Sequence, residues 1–515
     1  MNTLHFKPPQ RGATVIALTP WVIGVIIGID YFDNALFAFF ASYIAGGVSA
    51  AVDELVWASS AYALGAVLGI LQQRAWVARL GYRFYLALSM FAFAAGGVGA
   101  ALSNSPTELM LARGLQGYAV GPMLGACRIL LQIGTPLPWR VWSLRIFMGF
   151  IVFCGALAPI VGAYLVAHFE WRWLFYCTAP VAALAGALAL WVIPDIGDVG
   201  AERSEPHYLA YIVFALAQAA LQVAMTRARF ELFLSSPALI GLTVAGFVGL
   251  GWFGYHQWRH PAPLVRLHAL RESSFRVGLA LYVVYYCLST GYSYLLPRLM
   301  EGGLGFTVDA TGYFTGSISL LGALLMFVYM RYSARITRKR WLVVPGLVIA
   351  ATAGWWLAHL PPQAGRAQLA GPLLLRGLMI LFVTFPVAGV TFRAFQGVDY
   401  AHSYRLKNIL RQLAISFATA GVIALQQHRI ALHETRLSES ANLDNPVFMQ
   451  TLDLLTRGFE AAGHAAGEAH AMALATLART LEQQATFMAA LDGFQVMAVI
   501  ALAAAVYAAS RKSLD

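Results

Sequence analysis

Long apolar runs separated by short polar clusters extend along almost the whole 515-residue chain. A transmembrane helix needs about 20 mostly apolar residues, and a window of that length identifies fourteen runs. They lie near residues 15–40, 54–74, 84–102, 108–133, 145–168, 173–193, 207–226, 238–257, 277–298, 310–330, 342–359, 372–395, 408–427 and 488–510. The pattern predicts an all-α integral membrane protein with fourteen transmembrane helices.

Basic residues recur mainly in the connections between these runs. Lys and Arg accumulate in cytoplasmic connections, and most of the 35 Lys and Arg residues fall on one side if the N-terminus is inside. The cluster of Arg331, Arg335, Arg338, Lys339 and Arg340 belongs to that side. Because the predicted number of spans is even, we expect both termini in the cytoplasm.

Two longer segments indicate how the chain is divided. A polar linker at residues 194–206 precedes two predicted spans, which gives a six-helix bundle in residues 1–206, two additional helices in residues 207–260 and a second six-helix bundle in residues 261–515. Residues 428–487 form an outer segment that is too long for an ordinary connection. Its part between Pro446 and Gln484 is rich in helix-forming residues. We expect two amphipathic helices there, broken near Gly463 and Gly467.

Composition excludes several classes of function. The chain is 59% apolar and 11% charged, whereas soluble domains contain about 25% charged residues. The net charge of +11 comes from separate short clusters, which argues against nucleic-acid binding. No nucleotide-binding motif and no spacing typical of a metal site occurs, and no pairing of nucleophile and base indicates an enzyme. We therefore expect neither a metal nor an organic cofactor.

Ionisable residues deep within a span are costly and mark ion or substrate pathways. Asp30 and Asp33 lie near the middle of the first span and share a helix face with Asn34. Two neighbouring carboxylates in a low-dielectric environment cannot easily both ionise, which suits a proton carrier. Arg113 on the fourth span lies within reach of Asp30, so we expect an ion pair that loosens on protonation. The alternatives are a hydrogen-bonded packing residue and a static ion pair.

Other spans carry patterns with two interpretations. Gly117, Gly121 and Gly125 follow Arg113 at a four-residue spacing that allows close helix packing. Pro159 and Gly162 on the fifth span indicate a hinge or a seal, or merely a bent packing helix. Four tyrosines on the ninth span line a ligand cavity or form an interfacial belt: Tyr282, Tyr285, Tyr286 and Tyr292. Arg128 and Arg376 favour an anionic substrate unless they snorkel or bind carbonyl groups.

Several of these motifs resemble the Major Facilitator Superfamily, and within it the fourteen-span EmrB/QacA-type drug:proton antiporters. The similar residues are Ile29 and Asp30 of the first span, Trp57, Tyr62 and Leu64 of the second, Arg113, Gln116 and Gly117 of the fourth, and Ala158, Pro159, Gly162 and Ala163 of the fifth. Departures from the family pattern also occur. Arg74 and Ala78 replace a Gly and an Asp after the second span, and Thr226 replaces an acidic residue of the seventh.

The resemblance implies multidrug efflux across the bacterial inner membrane, with the proton gradient as the energy source. It also implies a tripartite pump with a periplasmic adaptor, bound at residues 446–484, and an outer-membrane channel. On this hypothesis Asp30 and Asp33 exchange protons, Arg113 biases their protonation, and substrate contacts Asn34, Gln116, Tyr285, Tyr286 and Tyr292. The alternatives are uptake or export of one metabolite, and a scaffold or sensor that does not transport.

Overall fold

The computed structural model describes residues 13–50, 54–197, 208–227, 236–261, 263–333, 335–395, 397–442 and 444–514. These ranges are helical and contain no β-strand. The predicted boundary between residues 206 and 207 lies outside the described residues, as does most of the polar linker before it. The all-α prediction is confirmed over the described part of the chain.

Within the described ranges, eight α-helices form the N-terminal half, and two more follow it. The N-terminal half consists of α1 (Ala13–Phe39), α2 (Ala41–Gly47), α3 (Leu55–Leu102), α4 (Pro106–Val120), α5 (Met123–Gly134), α6 (Arg140–His168), α7 (Trp173–Tyr176) and α8 (Thr178–Val192). The two following helices are α9 (Tyr208–Arg227) and α10 (Pro237–Arg259).

The described part of the C-terminal half contains eight further α-helices. They are α11 (Ser273–Pro297), α12 (Val308–Ser333), α13 (Arg340–Ala358), α14 (Arg366–Met379), α15 (Phe385–Thr391), α16 (Gly397–Ser440), α17 (Pro446–Ala461) and α18 (Ala466–Ala509). Two short π-helical segments, Arg298–Gly303 and Ile380–Thr384, directly follow α11 and α14.

Twelve helices in the described ranges are long and apolar enough to cross a membrane, compared with fourteen predicted spans. Two differences explain the count. Helix α3 contains two predicted spans, which meet where Gly81 has a non-helical backbone (φ 72°, ψ 165°). The predicted span at 108–133 is divided between α4 and α5, because Pro122 lacks an N–H group and interrupts the helical hydrogen bonds.

Close packing of α3 against α4 depends on the glycines that the sequence singles out. A side chain at Gly117 would collide with the backbone carbonyl of Tyr62, and one at Gly121 would collide with Ala66. Both contacts confirm the expected close approach of two helix backbones. Gly125 instead faces Asn408 of α16, where an added Cβ would lie 2.9 Å from the amide nitrogen.

We expect Gly117→Ala to destabilise the protein, because α3 and α4 must separate to make room for the methyl group. Overpacking of this kind costs about 1–3 kcal/mol. Gly114→Ala on the same helix is the matched control, since its Cβ would lie 3.8 Å from the nearest atom, the carbonyl oxygen of Ala61. Size-exclusion chromatography after heating measures the difference. Equal heat stability of the two variants would contradict the assigned packing.

The structure of the outer segment agrees with the prediction at one glycine and differs from it at the other. The predicted break at Gly463 is confirmed by a left-handed turn (φ 99°) after α17. Gly467, however, lies inside α18, so the second predicted helix is the start of a continuous helix that runs to Ala509. Helices α16 and α18 have 44 residues each, about 66 Å at 1.5 Å per residue. Such helices are about twice as long as the ~30 Å hydrocarbon core.

A charged cluster joins α16 and α18 at the base of this segment. Arg429 Nε and His433 Nε2 each lie 2.6 Å from Asp492 Oδ2. Because the two contacts come from successive turns of α16, they hold its extension against α18. The outer segment is therefore a helical extension attached to the bundle.

Candidate functional site

A cavity of about 380 Å³ lies between the N-terminal and C-terminal halves. Helices α1, α3, α4 and α6 line it from one half, and α11, α12, α14 and α16 line it from the other. Among the predicted residues, Asn34, Arg113, Pro159, Tyr285 and Tyr286 belong to its wall. The first span and the ninth span, which are distant in sequence, thus contribute to the same site.

Asp30 is fully buried beside this cavity and accepts three polar contacts. Tyr62 Oη and Asn34 Nδ2 each donate a hydrogen bond of 2.7 Å to Asp30 Oδ1. Arg411 Nη2 lies 3.3 Å from Asp30 Oδ2. Because α1 carries Asp30 and α16 carries Arg411, this ion pair connects the two halves of the protein.

Asp33 forms a second buried ion pair, which remains within the N-terminal half. Arg113 Nη1 lies 2.6 Å from Asp33 Oδ2, and both side chains are at most 2% exposed. The same nitrogen donates a 2.8 Å hydrogen bond to Gln116 Oε1. The guanidinium carbon lies 4.3 Å from the centre of the Phe37 ring and 4.5 Å from that of Tyr62. Aromatic faces and one carboxylate therefore enclose the Arg113 charge.

The partner predicted for Arg113 is wrong. The prediction paired it with Asp30, whereas the structure pairs it with Asp33 and leaves Asp30 to Arg411. The two aspartates are three residues apart, so Asp33 lies about 4.5 Å further along α1 toward its C-terminal end. That displacement places Asp33 at the same depth in the helix bundle as Arg113.

Two predicted substrate contacts do not line the cavity. Gln116 is fully buried behind Arg113, to which its side chain is hydrogen-bonded. Tyr292 of α11 packs against α13, where Gly354 leaves room for its hydroxyl group, and this hydroxyl donates a 2.8 Å hydrogen bond to the carbonyl of Ala350. The four tyrosines predicted as a group, Tyr282, Tyr285, Tyr286 and Tyr292, are all buried in the protein, so they do not form an interfacial belt.

Pro159 and Gly162 lie where the two halves meet. A side chain at Gly162 would collide with Leu36 of α1 and with the ring of Phe40, which directly follows α1. A Cβ added at Gly312 of α12 would lie 2.7 Å from the Pro159 carbonyl oxygen. Helix α6 is thus closely packed on both sides at this level, between one helix of each half.

Sequence reasoning missed Arg411 and Lys407, which belong to the same region. Both are about 95% buried, and Lys407 Nζ lies 4.9 Å from the ring centre of Tyr282 and 5.1 Å from that of Tyr404. Arg411 falls inside the predicted span at 408–427. The argument that an ionisable residue within a span marks an ion or substrate pathway therefore applies to Arg411 as it does to Arg113. Lys407 directly precedes that span.

Helix α9, which follows the N-terminal half, also contacts the site. Ser60 Oγ of α3 donates a 2.7 Å hydrogen bond to Gln222 Oε1, and Gln222 Nε2 donates to Ser416 Oγ of α16. Both serines line the cavity. One side chain of α9 therefore bridges the N-terminal and C-terminal halves, a contact that nothing in the apolar pattern indicates.

The described residues contain no group of three His, Cys, Asp or Glu side chains that could hold a metal ion. The site consists instead of buried ion pairs, aromatic rings and hydroxyl groups around a space of small-molecule size. Such a space between two helical halves, within twelve helices that can span a bilayer, is typical of a multi-pass membrane transporter.

The particular family follows from comparison with known proteins. The model of the Major Facilitator Superfamily matches residues 23–419, and the chain belongs to this superfamily. It is a transporter and not an enzyme, and it is a multi-pass protein of the bacterial inner membrane.

Similar proteins include an export protein and a resistance protein. The chain is 22% identical over 442 residues to the multidrug export protein EmrB of Escherichia coli. The aligned region covers 85% of this chain and 86% of that protein. It is 23% identical over 437 residues to the fatty acid resistance protein FarB of Neisseria gonorrhoeae, with 84% and 85% covered.

Among solved structures, the fold is similar to that of a bacterial homologue of the human lysosomal transporter Spinster. The TM-score is 0.61 at 14% sequence identity, and the match covers 97% of this chain and 98% of that chain. At this identity the likeness concerns the fold alone.

Proposed function

We propose that this protein exports amphipathic compounds across the inner membrane in exchange for protons, by alternating access. The observation that carries this proposal is the buried ion pair between Asp30 and Arg411, which connects the two halves beside the cavity. Transporters of this architecture work by rocking one half against the other around a central site. A charge pair across that boundary restrains the movement until one partner is neutralised.

Protonation of Asp30 is the step that releases the restraint. A neutral carboxyl group loses most of its attraction for Arg411, while its hydrogen bonds to Tyr62 and Asn34 hold it in place. The halves then rearrange and the proton leaves on the other side. Asp33 also exchanges protons, and its partner Arg113 biases the equilibrium towards the ionised form.

Substrate binds in the cavity against Asn34, Tyr285 and Tyr286. Gln116 has a different role from the one its sequence position indicates, since its hydrogen bond orients Arg113 towards Asp33. Pro159 and Gly162 act as the hinge or seal, because their close packing against α1 and α12 must loosen when the halves move.

The proposed membrane arrangement has fourteen crossings with both termini in the cytoplasm. Helix α3 is long enough for two crossings that meet at Gly81, and α4 with α5 provides one more. The domains are residues 1–206, the two additional helices of residues 207–260, and residues 261–515. In this arrangement residues 428–487 face the periplasm.

Names of similar proteins support the type of substrate. Two relatives are a multidrug export protein and a fatty acid resistance protein, and both multidrug substrates and fatty acids include amphipathic molecules. We further propose that a periplasmic adaptor docks on residues 446–484 and connects the protein to an outer-membrane channel.

Helix α17 offers the surface for that adaptor. Val447 is 68% exposed and Leu454 is 72% exposed, and such apolar side chains on an outer helix indicate a contact surface. We expect Val447→Asp combined with Leu454→Asp to abolish resistance in cells that contain the adaptor. Proton-linked transport in liposomes should stay within about twofold, because the cavity is untouched.

The matched control for this prediction is Gln450→Asp combined with Thr451→Asp. It adds the same charge to exposed positions of the same helix without removing apolar surface. Growth at graded inhibitor concentrations, with expression checked by immunoblot, compares the two variants. Resistance that falls equally in both would show that charge on α17, and not its apolar face, is what matters.

Proton flux tests the proposed function directly. The purified protein is reconstituted in liposomes that contain a pH dye, and hydrophobic cations, neutral aromatic compounds and aromatic acids are added in turn. We expect proton movement with at least one class. No proton movement with any of them, from protein that is folded by size-exclusion chromatography, would overturn antiport and favour a scaffold.

A further inference from the structure

The charges around the cavity are unbalanced. Four arginines line it, Arg113, Arg298, Arg376 and Arg411, whereas no Asp or Glu among the described residues does. Asp33 neutralises Arg113 and Asp30 contacts Arg411, and both carboxylates are buried outside the lining. The wall therefore presents positive charge to any molecule that enters.

Arg376 of α14 lacks a charged partner. Its Nη2 donates a 2.8 Å hydrogen bond to Ser293 Oγ, a neutral group, and it forms no salt bridge with the residues that the structure describes. A charge in a low-dielectric site is costly unless an opposite charge pairs with it. An anion entering the cavity supplies that opposite charge.

Arg411 keeps unused donors although it contacts Asp30. Its side chain is 5% exposed, and its Nε and Nη1 atoms have no hydrogen-bonding partner within the described ranges. The guanidinium carbon lies 4.9 Å from the ring centre of Tyr31 and 5.8 Å from that of Tyr286. Arg411 thus supplies a second cation beside the cavity, and the described residues satisfy only part of its hydrogen-bonding capacity.

From these observations we infer that the exported compound is an amphipathic anion, such as an aromatic carboxylate. Its negative head binds Arg376 and Arg411, and its apolar part packs against Tyr285 and Tyr286. The volume of about 380 Å³ lies within the range of roughly 300–1,000 Å³ that small-molecule sites occupy. This inference rests on the proposed transport function and narrows its substrate class.

Positive charge continues beyond the main cavity. A smaller cavity of about 50 Å³ shares Tyr31, Tyr285 and Tyr286 with it and is lined by Arg128 and Lys407, again without a described Asp or Glu. An anion in either cavity therefore lies beside arginine side chains, which repel a cation.

An anionic substrate is also consistent with exchange. The empty, deprotonated protein is held by the pair between Asp30 and Arg411. A proton releases this pair by neutralising Asp30, and an anion releases it by neutralising Arg411. Each ligand permits one direction of the cycle, and the empty form remains restrained.

Equilibrium binding to the full-length protein in detergent at neutral pH tests the inference. The probe is 2-naphthoate, and its neutral and cationic analogues are 2-naphthamide and 2-naphthylmethylammonium. We expect naphthoate to bind at least about tenfold more tightly than either analogue, since hydrogen bonds between charged groups are roughly twice as strong as neutral ones. Equal binding of the three compounds, or no binding of naphthoate, would overturn the inference.

Variants then assign the head group to its site. Arg376→Gln should weaken naphthoate binding about tenfold or more and change naphthamide binding less than about twofold, and Arg376→Lys should restore part of the loss. Arg366→Gln is the matched control, because Arg366 is exposed on the same helix and does not line the cavity. An equal loss for both compounds in Arg376→Gln would count against a specific anion contact.

Failure of this inference is distinguishable from failure of the proposed function. Proton flux driven only by naphthylmethylammonium would refute the anionic substrate and leave antiport intact. Selective naphthoate binding without any proton flux would refute antiport and leave the anion site intact.

Discussion

Replacing Asp30 with Asn is expected to reduce proton-coupled transport to the level of empty liposomes. The amide accepts the hydrogen bonds of Tyr62 and Asn34 through its oxygen, so the local structure is maintained. It carries no charge for Arg411 and no exchangeable proton. The restraint between the halves is therefore lost, and substrate should equilibrate down its own gradient without proton movement.

Two measurements on the same liposomes distinguish this result from simple damage. Internal pH reports proton flux, and labelled substrate reports counterflow, which should persist in Asp30→Asn. Asp30→Glu keeps a titratable group and should recover part of the proton flux. Asp453→Asn, on exposed α17, is the control and should transport normally. Unchanged proton flux in Asp30→Asn would exclude Asp30 as the coupling residue.

Replacing Asp33 with Asn is expected to destabilise the protein by about 3–5 kcal/mol, because it leaves the Arg113 charge buried without a partner. Both members of this pair are at most 2% exposed, so water cannot compensate. Adding Arg113→Gln to Asp33→Asn should recover much of the lost stability, since the double variant has no unpaired charge.

The exposed ion pair between Asp453 and Arg457 is the matched comparison. Its side chains are 58% and 75% exposed, and such pairs contribute about 0–1 kcal/mol. Asp453→Asn should therefore unfold almost like the original protein in thermal or denaturant titrations followed by tryptophan fluorescence. Equal stability of Asp33→Asn and Asp453→Asn against unfolding would show that the Asp33–Arg113 pair does not stabilise the protein.

The candidate site could be predicted only in part. Asp30, Asp33 and Arg113 stand out because an ionisable side chain in an apolar run is rare and costly, and all three lie in or beside the cavity wall. Tyr285 and Tyr286 were predicted with Tyr292, yet only the first two line the cavity. The Tyr292 hydroxyl instead lies against α13, where Gly354 makes room for it.

Partners of the charged residues were the least predictable part. Arg113 was predicted to lie within reach of Asp30, but Asp33 lies only about 4.5 Å further along the same helix, and this small distance determines which carboxylate Arg113 contacts. Arg411 lies 381 positions after Asp30 in the chain. Contacts over such separations depend on how helices rotate and tilt against one another, which a hydrophobic pattern leaves open.

The sequence by itself determined the class of this protein and the helical content of its described part, because bilayer thickness and backbone hydrogen bonding allow few solutions for long apolar runs. It also determined the close approach of α3 and α4 through glycine spacing. The tertiary structure alone decided that Asp30 meets Arg411, that α9 bridges both halves through Gln222, and that positive charge lines the cavity. These features depend on distances of a few ångströms between helices remote in sequence, and only packing in three dimensions sets such distances.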